Sequence, residues 1–194
     1  MALSHAILSA LIGCPCSGYD LAKQFDGSVG FFWHASHQQI YRELAKLEQQ
    51  SLIAAEAVAQ EGKPDKKIFS VTGSGKALLK QWIAQPSKCA PTKDDLLVKL
   101  FVGYLVPPTT LQATLKHGRA QHAETLETYR AIEQAYFAES SAMSLSARFQ
   151  YITLRNGIHY ETSWLAWCDE TLETLAVLPD ETAATPRADL GDET

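Results

Sequence analysis

Ser36-His37-Gln38-Gln39-Ile40-Tyr41-Arg42-Glu43-Leu44-Ala45-Lys46-Leu47 is followed by Lys67-Ile68-Phe69-Ser70-Val71-Thr72, and the change of period between the two decides the fold. In the first stretch Ile40, Leu44 and Leu47 recur at helical spacing. Ser36 with Gln39 three residues on is a capping-box pair, in which each side chain satisfies a free backbone N–H at the helix start. In the second stretch apolar and polar residues alternate as a strand requires. Residues 53–59 are small and apolar, and Glu61-Gly62-Lys63-Pro64-Asp65 has the composition of a turn. Two short strands across a tight turn predict a β-hairpin.

Working outward, Leu3, Ile7, Leu8, Leu11 and Ile12 predict a first helix that Gly13 and Pro15 end. Ser17 with Asp20 is a second capping box, opening a helix with Leu21, Ala22 and Phe25 inside and Asp26-Gly27-Ser28 as its break. After the hairpin, Thr72 caps a helix carrying Leu78, Leu79, Trp82 and Ile83, closed by Pro86. Gly73-Ser74-Gly75-Lys76 lacks the flanking residues of a phosphate loop and reads as the start of that helix. Three helices, a hairpin and a further helix in about 85 residues is the order of a winged helix-turn-helix.

The second half reads as helical throughout. Thr92 with Asp95 and Thr109 with Gln112 are capping-box pairs ahead of periodic stretches. One long helix carries Leu111, Leu115, His122, Tyr129, Ile132 and Tyr136 on a face. The next shows a 3-4 alternation through Tyr151, Leu154, Ile158, Glu161, Leu165, Cys168, Leu172 and Leu175. Two helices cannot cover so much apolar surface alone, so Leu154, Ile158, Leu165 and Leu172 are expected at a dimer seam. His159, Tyr160, Trp164 and Trp167 lie beside this stripe. Packing accounts for them, and a pocket for a flat small molecule is the sharper alternative. The fold class is thus mainly α: a winged helix-turn-helix over 1–86, a long-helix dimerisation domain over 87–178, and a disordered acidic tail over 179–194.

The chain has 194 residues, 46% apolar and 20% charged, enough to bury a core. No apolar run reaches the ~18 residues of a membrane span, and no secretory leader is legible. Four cysteines, two of them Cys14 and Cys16 around a single proline, do not form a disulfide framework, so a reducing cytoplasm is expected. The net charge of −5 hides an asymmetry, since residues 1–90 carry +2 and residues 91–194 carry −7. That division permits a nucleic-acid partner for the first half.

The helix from Ser36 points Gln38, Gln39, Arg42 and Lys46 outward, with Ser36 and His37 at its N-terminus. Gln pairs with adenine and Arg with guanine in a major groove, while a serine at a helix N-terminus suits phosphate. An ordinary solvated face is the bland alternative. Lys63, Lys66 and Lys67 bracket the hairpin turn and suit a sugar–phosphate backbone.

These strings, with Ser17-Gly18-Tyr19-Asp20-Leu21-Ala22-Lys23 before them and Gly62-Lys63-Pro64 in the turn, resemble the PadR family of bacterial transcriptional regulators. Leu154-Arg155-Asn156-Gly157-Ile158-His159-Tyr160-Glu161 with Trp164-Leu165-Ala166-Trp167 resembles the C-terminal helices of its virulence-activator (AphA-like) branch. The resemblance spans about residues 2–178. It implies a homodimeric DNA-binding protein with its recognition helix from Ser36, its wing over Lys63 to Lys67, and Tyr19 and Tyr41 near phosphates. From its own spacing, Tyr41 also suits partial core packing beside Ile40. Two residues depart from the family: Ser51 stands where glycine is usual, and Phe69 where tyrosine is.

The reading is therefore a homodimeric regulator, expected to be a repressor, on an inverted-repeat operator in double-stranded DNA. It carries no catalytic set, cofactor or metal, and a small-molecule effector is the possible modulator. A winged-helix protein-interaction module and a metal-responsive regulator using His34, His37, Cys14 and Cys16 are the alternatives.

Overall fold

The structure is a computed structural model that describes residues 2–25, 33, 35–60, 63–87, 93–138 and 143–179; of residues 2, 60 and 63–65 it describes the backbone. Apart from residue 179, the expected acidic tail lies outside the described residues. The chain divides into two compact units, Met1–Ala90 and Pro91–Thr194.

The first unit is built from α1 (Ala2–Gly13), β1 (Cys16–Ser17), α2 (Gly18–Phe25), α3 (His37–Gln49), β2 (Ile53–Gln60), β3 (Lys63–Val71) and α4 (Gly73–Ile83). The strands form an antiparallel sheet in the order β1-β3-β2. Its core gathers Ile7, Leu8 and Leu11 of α1, Leu21 and Phe25 of α2, Ile40, Leu44 and Leu47 of α3, and Ile53, Phe69 and Leu79. Each fully buried Leu or Ile contributes ~1.5–3 kcal/mol of transfer free energy. The inward faces expected of α1, α2 and α3 are these faces, except that Ile12 is exposed. On α4, Leu79 is buried, but Ile83 is exposed and Trp82 lies at the surface, stacked on His5 with ring centroids 4.4 Å apart.

Three local expectations change. Strand β1 was not legible, because two residues carry no periodicity; it exists through pairing of Cys16 with Phe69 and Ser17 with Ile68. The Ser17 box also forms differently from the expectation. Ser17 Oγ accepts the Asp20 N–H at 3.2 Å, but Asp20 Oδ2 accepts the Ser17 hydroxyl at 2.8 Å instead of its backbone N–H. Finally, Lys63, Pro64 and Asp65 continue β3 and are not turn residues, since the ladder resumes at Gln60 opposite Lys63 after an irregularity beyond Val58.

The second unit contains α5 (Asp95–Phe101), a short 3-10 turn at Gly103–Leu105, α6 (Pro108–Phe137) and α7 (Leu145–Ala176). Asp94 caps α5, its carboxylate accepting the Leu96 N–H at 2.8 Å; Thr92 lies outside the described residues. The Thr109–Gln112 box does not form. Helix α6 starts at Pro108 without a side-chain cap, where a proline gives up a donor that would have been unpaired anyway. Ser144 caps α7.

Helices α6 and α7 pack antiparallel along the stripe read from the sequence. One core joins Leu111 and Leu115 to Cys168 and Leu175, and another joins Leu126 and Tyr129 to Ile158. Cross-helix polar ties reinforce the pair. Arg119 donates twice to Asp169, at 2.6 and 3.1 Å, and Glu133 accepts from Tyr151 at 2.8 Å and Arg155 at 3.1 Å. Tyr136, expected on the inner face of α6, is exposed.

Candidate nucleic-acid interface

Helix α3 is placed at both ends. At its start Ser36 Oγ accepts the Gln39 N–H at 3.3 Å, and Gln39 Oε1 accepts the Ser36 N–H at 2.9 Å, completing the capping box. At its end the Leu52 N–H reaches the Leu47 carbonyl at 3.0 Å and the Ser51 N–H the Glu48 carbonyl at 2.9 Å, the paired bonds of a Schellman turn. This turn puts Ser51 at φ +56°, the left-handed region that glycine adopts without strain. The Thr72 hydroxyl then bonds to the carbonyls of Ser51 and Leu52 at 2.8 and 3.0 Å and accepts the Gly75 N–H at 3.1 Å. One side chain thus ties the end of α3 to the end of the hairpin and the start of α4. Nothing larger than glycine fits at position 75, where a Cβ would lie 2.2 Å from the Leu52 carbonyl oxygen.

Buried Ile40, Leu44 and Leu47 turn the opposite face of α3 to solvent, exposing Ser36, His37, Gln38, Gln39 and Arg42. These residues are not equivalent. The Gln39 amide oxygen already accepts one bond in the cap, so pairing with adenine would compete with that role, whereas Gln38 has no such bond among the described residues. Arg42 is the cation of α3 with no ion-pair partner among the described residues; Lys46 lies 3.3 Å from Glu43. The Glu43 carboxyl is held below the usual carboxylate range by the Ser4 hydroxyl and then by Lys46.

Tyr19 at the start of α2 is 66% exposed, and Tyr41 on α3 is 49% exposed. The Tyr41 ring packs against Gly18, where a Cβ would meet its Cε1 at 2.6 Å. Tyr41 thus packs its ring locally, as its spacing beside Ile40 suggests, while part of the residue faces solvent.

The described wing lysines are both ion-paired within the chain. Lys66 Nζ lies 2.8 Å from Asp20 Oδ2, and Lys67 Nζ lies 2.8 Å from Glu48 Oε2. The first contact, with the Ser17 hydroxyl, holds the Asp20 carboxyl below its ordinary range. The Lys63 side chain lies outside the described residues. Asp20 and Glu48 are the members of this surface that sequence reasoning missed, because partners 46 and 19 positions apart leave no local signal.

In the second unit, Ile158 is buried, and Leu154, Leu165 and Leu172 pack partly buried on the same α6–α7 cores. A partner for this stripe is thus found within the chain, since α6 presents a matching face. Apolar surface stays open elsewhere: Val98 and Phe101 on α5, Tyr104 and Leu105 after it, and Leu145, Phe149, Ile152 and Tyr160 along the outer side of α7.

Of the aromatic set, Trp164 stacks on His122 with centroids 3.7 Å apart and meets Trp167 edge-on at 5.7 Å. Tyr160 and His159 are exposed. Glu161 is only 6% exposed and is bound to His122 Nδ1 at 2.5 Å, which explains a carboxylate within the apolar stripe. Cys14 is exposed and Cys16 buried, and burial pushes the Cys16 thiol up, away from thiolate reactivity. His34 lies outside the described residues, among which no group of three or more His, Cys, Asp or Glu comes together. None of the described helices is long and apolar enough to cross a membrane.

The model of the transcriptional regulator PadR-like family matches residues 7–81, and that of the virulence activator alpha C-terminal domain matches residues 92–176. A probable transcriptional regulator of Mycobacterium tuberculosis is 41% identical over 187 residues, covering 90% of this chain and 98% of the relative. The negative transcriptional regulator PadR of Bacillus subtilis is 28% identical over 173 residues, covering 88% and 95%. Among solved structures, the virulence activator AphA of Vibrio cholerae matches with a TM-score of 0.73 at 31% identity, covering 90% of this chain and 98% of that one. Bacillus subtilis PadR in complex with operator DNA matches with a TM-score of 0.79 at 25% identity, covering 90% and 99%. A winged helix-turn-helix with an outward-facing α3, joined to a helical unit of virulence-activator type, makes this chain a DNA-binding transcriptional regulator of the PadR family, which is not a family of enzymes.

Proposed function

We propose that the protein is a cytoplasmic homodimer that binds an inverted-repeat operator and represses transcription. The observation that carries this reading is the exposed face of α3, where Gln38 and Arg42 stand clear of the cap and of every carboxylate among the described residues. In a major groove these two read bases, while Ser36 and His37 at the helix N-terminus, with Tyr19 and Tyr41, approach phosphates. Repression is supported by the relative named a negative transcriptional regulator.

Dimerisation is proposed through the C-terminal unit, where Phe101, Tyr104, Phe149 and Ile152 are exposed and a second copy would cover them. A flat aromatic effector at His159, Tyr160, Trp164 and Trp167 would act by changing the spacing of the two recognition helices. The Trp164–His122 stack already occupies one indole face, which favours the exposed Tyr160 side for such a ligand.

The test is enrichment of random-sequence duplex, followed by anisotropy titration at two salt concentrations. A palindrome bound with salt-dependent affinity is expected. Arg42→Ala should then cost ~1–3 kcal/mol and relax preference at one position of each half-site. A folded dimer that enriches no sequence with or without aromatic ligands, or an Arg42→Ala loss equal on all sequences, overturns the assignment.

A further inference from the structure

Three of the four cations that α3 and the described part of the wing present are already paired. Lys46 has Glu43, Lys66 has Asp20 and Lys67 has Glu48, and Arg42 alone has no partner among the described residues. The two wing pairs are tertiary: each joins a lysine of β3 to a carboxylate of a helix, α2 for Lys66 and α3 for Lys67. Asp20 is itself fixed by the Ser17 hydroxyl, and Lys67 lies 5.3 Å above the Phe69 ring. Each lysine thus has a carboxylate 2.8 Å from its Nζ, close enough for that negative charge to bear on any phosphate the lysine meets.

A half-exposed pair of this kind is weak enough to exchange. When the lysine leaves its carboxylate for a phosphate, the counterion that DNA releases is offset by one the bare carboxylate draws in. The remaining negative charge also repels the phosphate. The wing then adds little to the sequence-independent, salt-dependent part of binding, and the unpaired Arg42 with Gln38 keeps its weight in discrimination. We infer that Asp20 and Glu48 are specificity-determining residues, internal counter-ions that suppress non-specific attraction of the wing to DNA. The inference rests on the operator-binding reading and deepens it.

The experiment uses the full chain with Asp20→Asn, Glu48→Gln and the double variant, titrated on the enriched operator and on a scrambled duplex across a salt series. Each substitution keeps the size of the side chain, and Glu48→Gln leaves the start of α2 untouched should Asp20→Asn weaken it. Affinity for the scrambled duplex should rise several-fold per variant, up to about 8-fold at 0.1 M salt for a lysine fully released, from a slope of about −0.9 per phosphate. The plot of log affinity against log salt should steepen by up to about 0.9 per lysine, and the operator-to-scrambled ratio should fall. Unchanged slopes overturn the inference while leaving the operator reading intact. Weaker binding to both duplexes shows the carboxylates to be positioning groups for the lysines and also overturns it. A wild-type protein that binds neither duplex removes the operator reading, and the inference with it.

Discussion

Replacing Ser51 by glycine should stabilise the first unit. Ser51 occupies the left-handed region at φ +56°, where a side-chain-bearing residue costs roughly 1–2 kcal/mol. Its side chain is exposed and makes no hydrogen bond among the described residues, so removal loses no contact. The bonds that define the turn are all from the backbone: Ser51 N–H to Glu48, Leu52 N–H to Leu47, and the Ser51 carbonyl to the Thr72 hydroxyl. Glycine preserves them but adds freedom to the unfolded chain, which returns about 0.5–1 kcal/mol. The net expectation is a gain of about 0.5–1 kcal/mol. Urea unfolding of the full chain, followed by far-ultraviolet dichroism, should show the transition of the first unit at a higher midpoint with an unchanged slope. Ser51→Ala is the control, because it keeps the Cβ and should stay within about 0.5 kcal/mol of the parent. If glycine is neutral or destabilising, or alanine stabilises as much, the turn is not strained and the reasoning fails.

Gly75→Ala should act oppositely on the same junction: a Cβ 2.2 Å from the Leu52 carbonyl oxygen forces α4 to shift, at a cost of ~1–3 kcal/mol or more, read as a lower unfolding midpoint. In the second unit, His122→Ala leaves buried Glu161 without its partner and removes the stack on Trp164, so a loss of about 1–3 kcal/mol is expected, with an altered tryptophan fluorescence. A midpoint equal to that of the parent would show that water replaces the imidazole. The Asp20 carboxyl lies below its ordinary range in the folded chain, chiefly through Lys66, so its contribution is present above the unfolded value of about 4 and is lost as pH falls through the depressed one. As pH falls below about 4 the parent should therefore lose more stability than Asp20→Asn, and equal acid sensitivity of the two would contradict the pairing.

Where a feature depends on residues a few positions apart, it was legible before any coordinates. The Ser36–Gln39 box, the Thr72 cap, the inner faces of α1, α2 and α3 and the stripe of α7 are of this kind, because a helix brings i, i+3 and i+4 together whatever surrounds it. Even there the sequence placed Gln39 in two roles, and geometry shows its amide oxygen committed to the cap. Ser51 departs from the glycine usual in the family, and its positive φ gives that departure its physical content.

Charge and polarity were the least legible. Lys66 and Lys67 look alike in the sequence, as free cations flanking a turn, yet each meets a carboxylate brought in from another element. Strand β1 likewise exists only because β3 offers it a ladder, and Glu161 is intelligible only beside His122, 39 positions away on another helix. Periodicity and capping are written in the chain because they follow from backbone geometry, which every sequence shares. Which charge faces which depends on how the elements dock, and that is decided by the packing of the apolar cores, so only the tertiary structure could show that much of the positive charge on the wing is already answered.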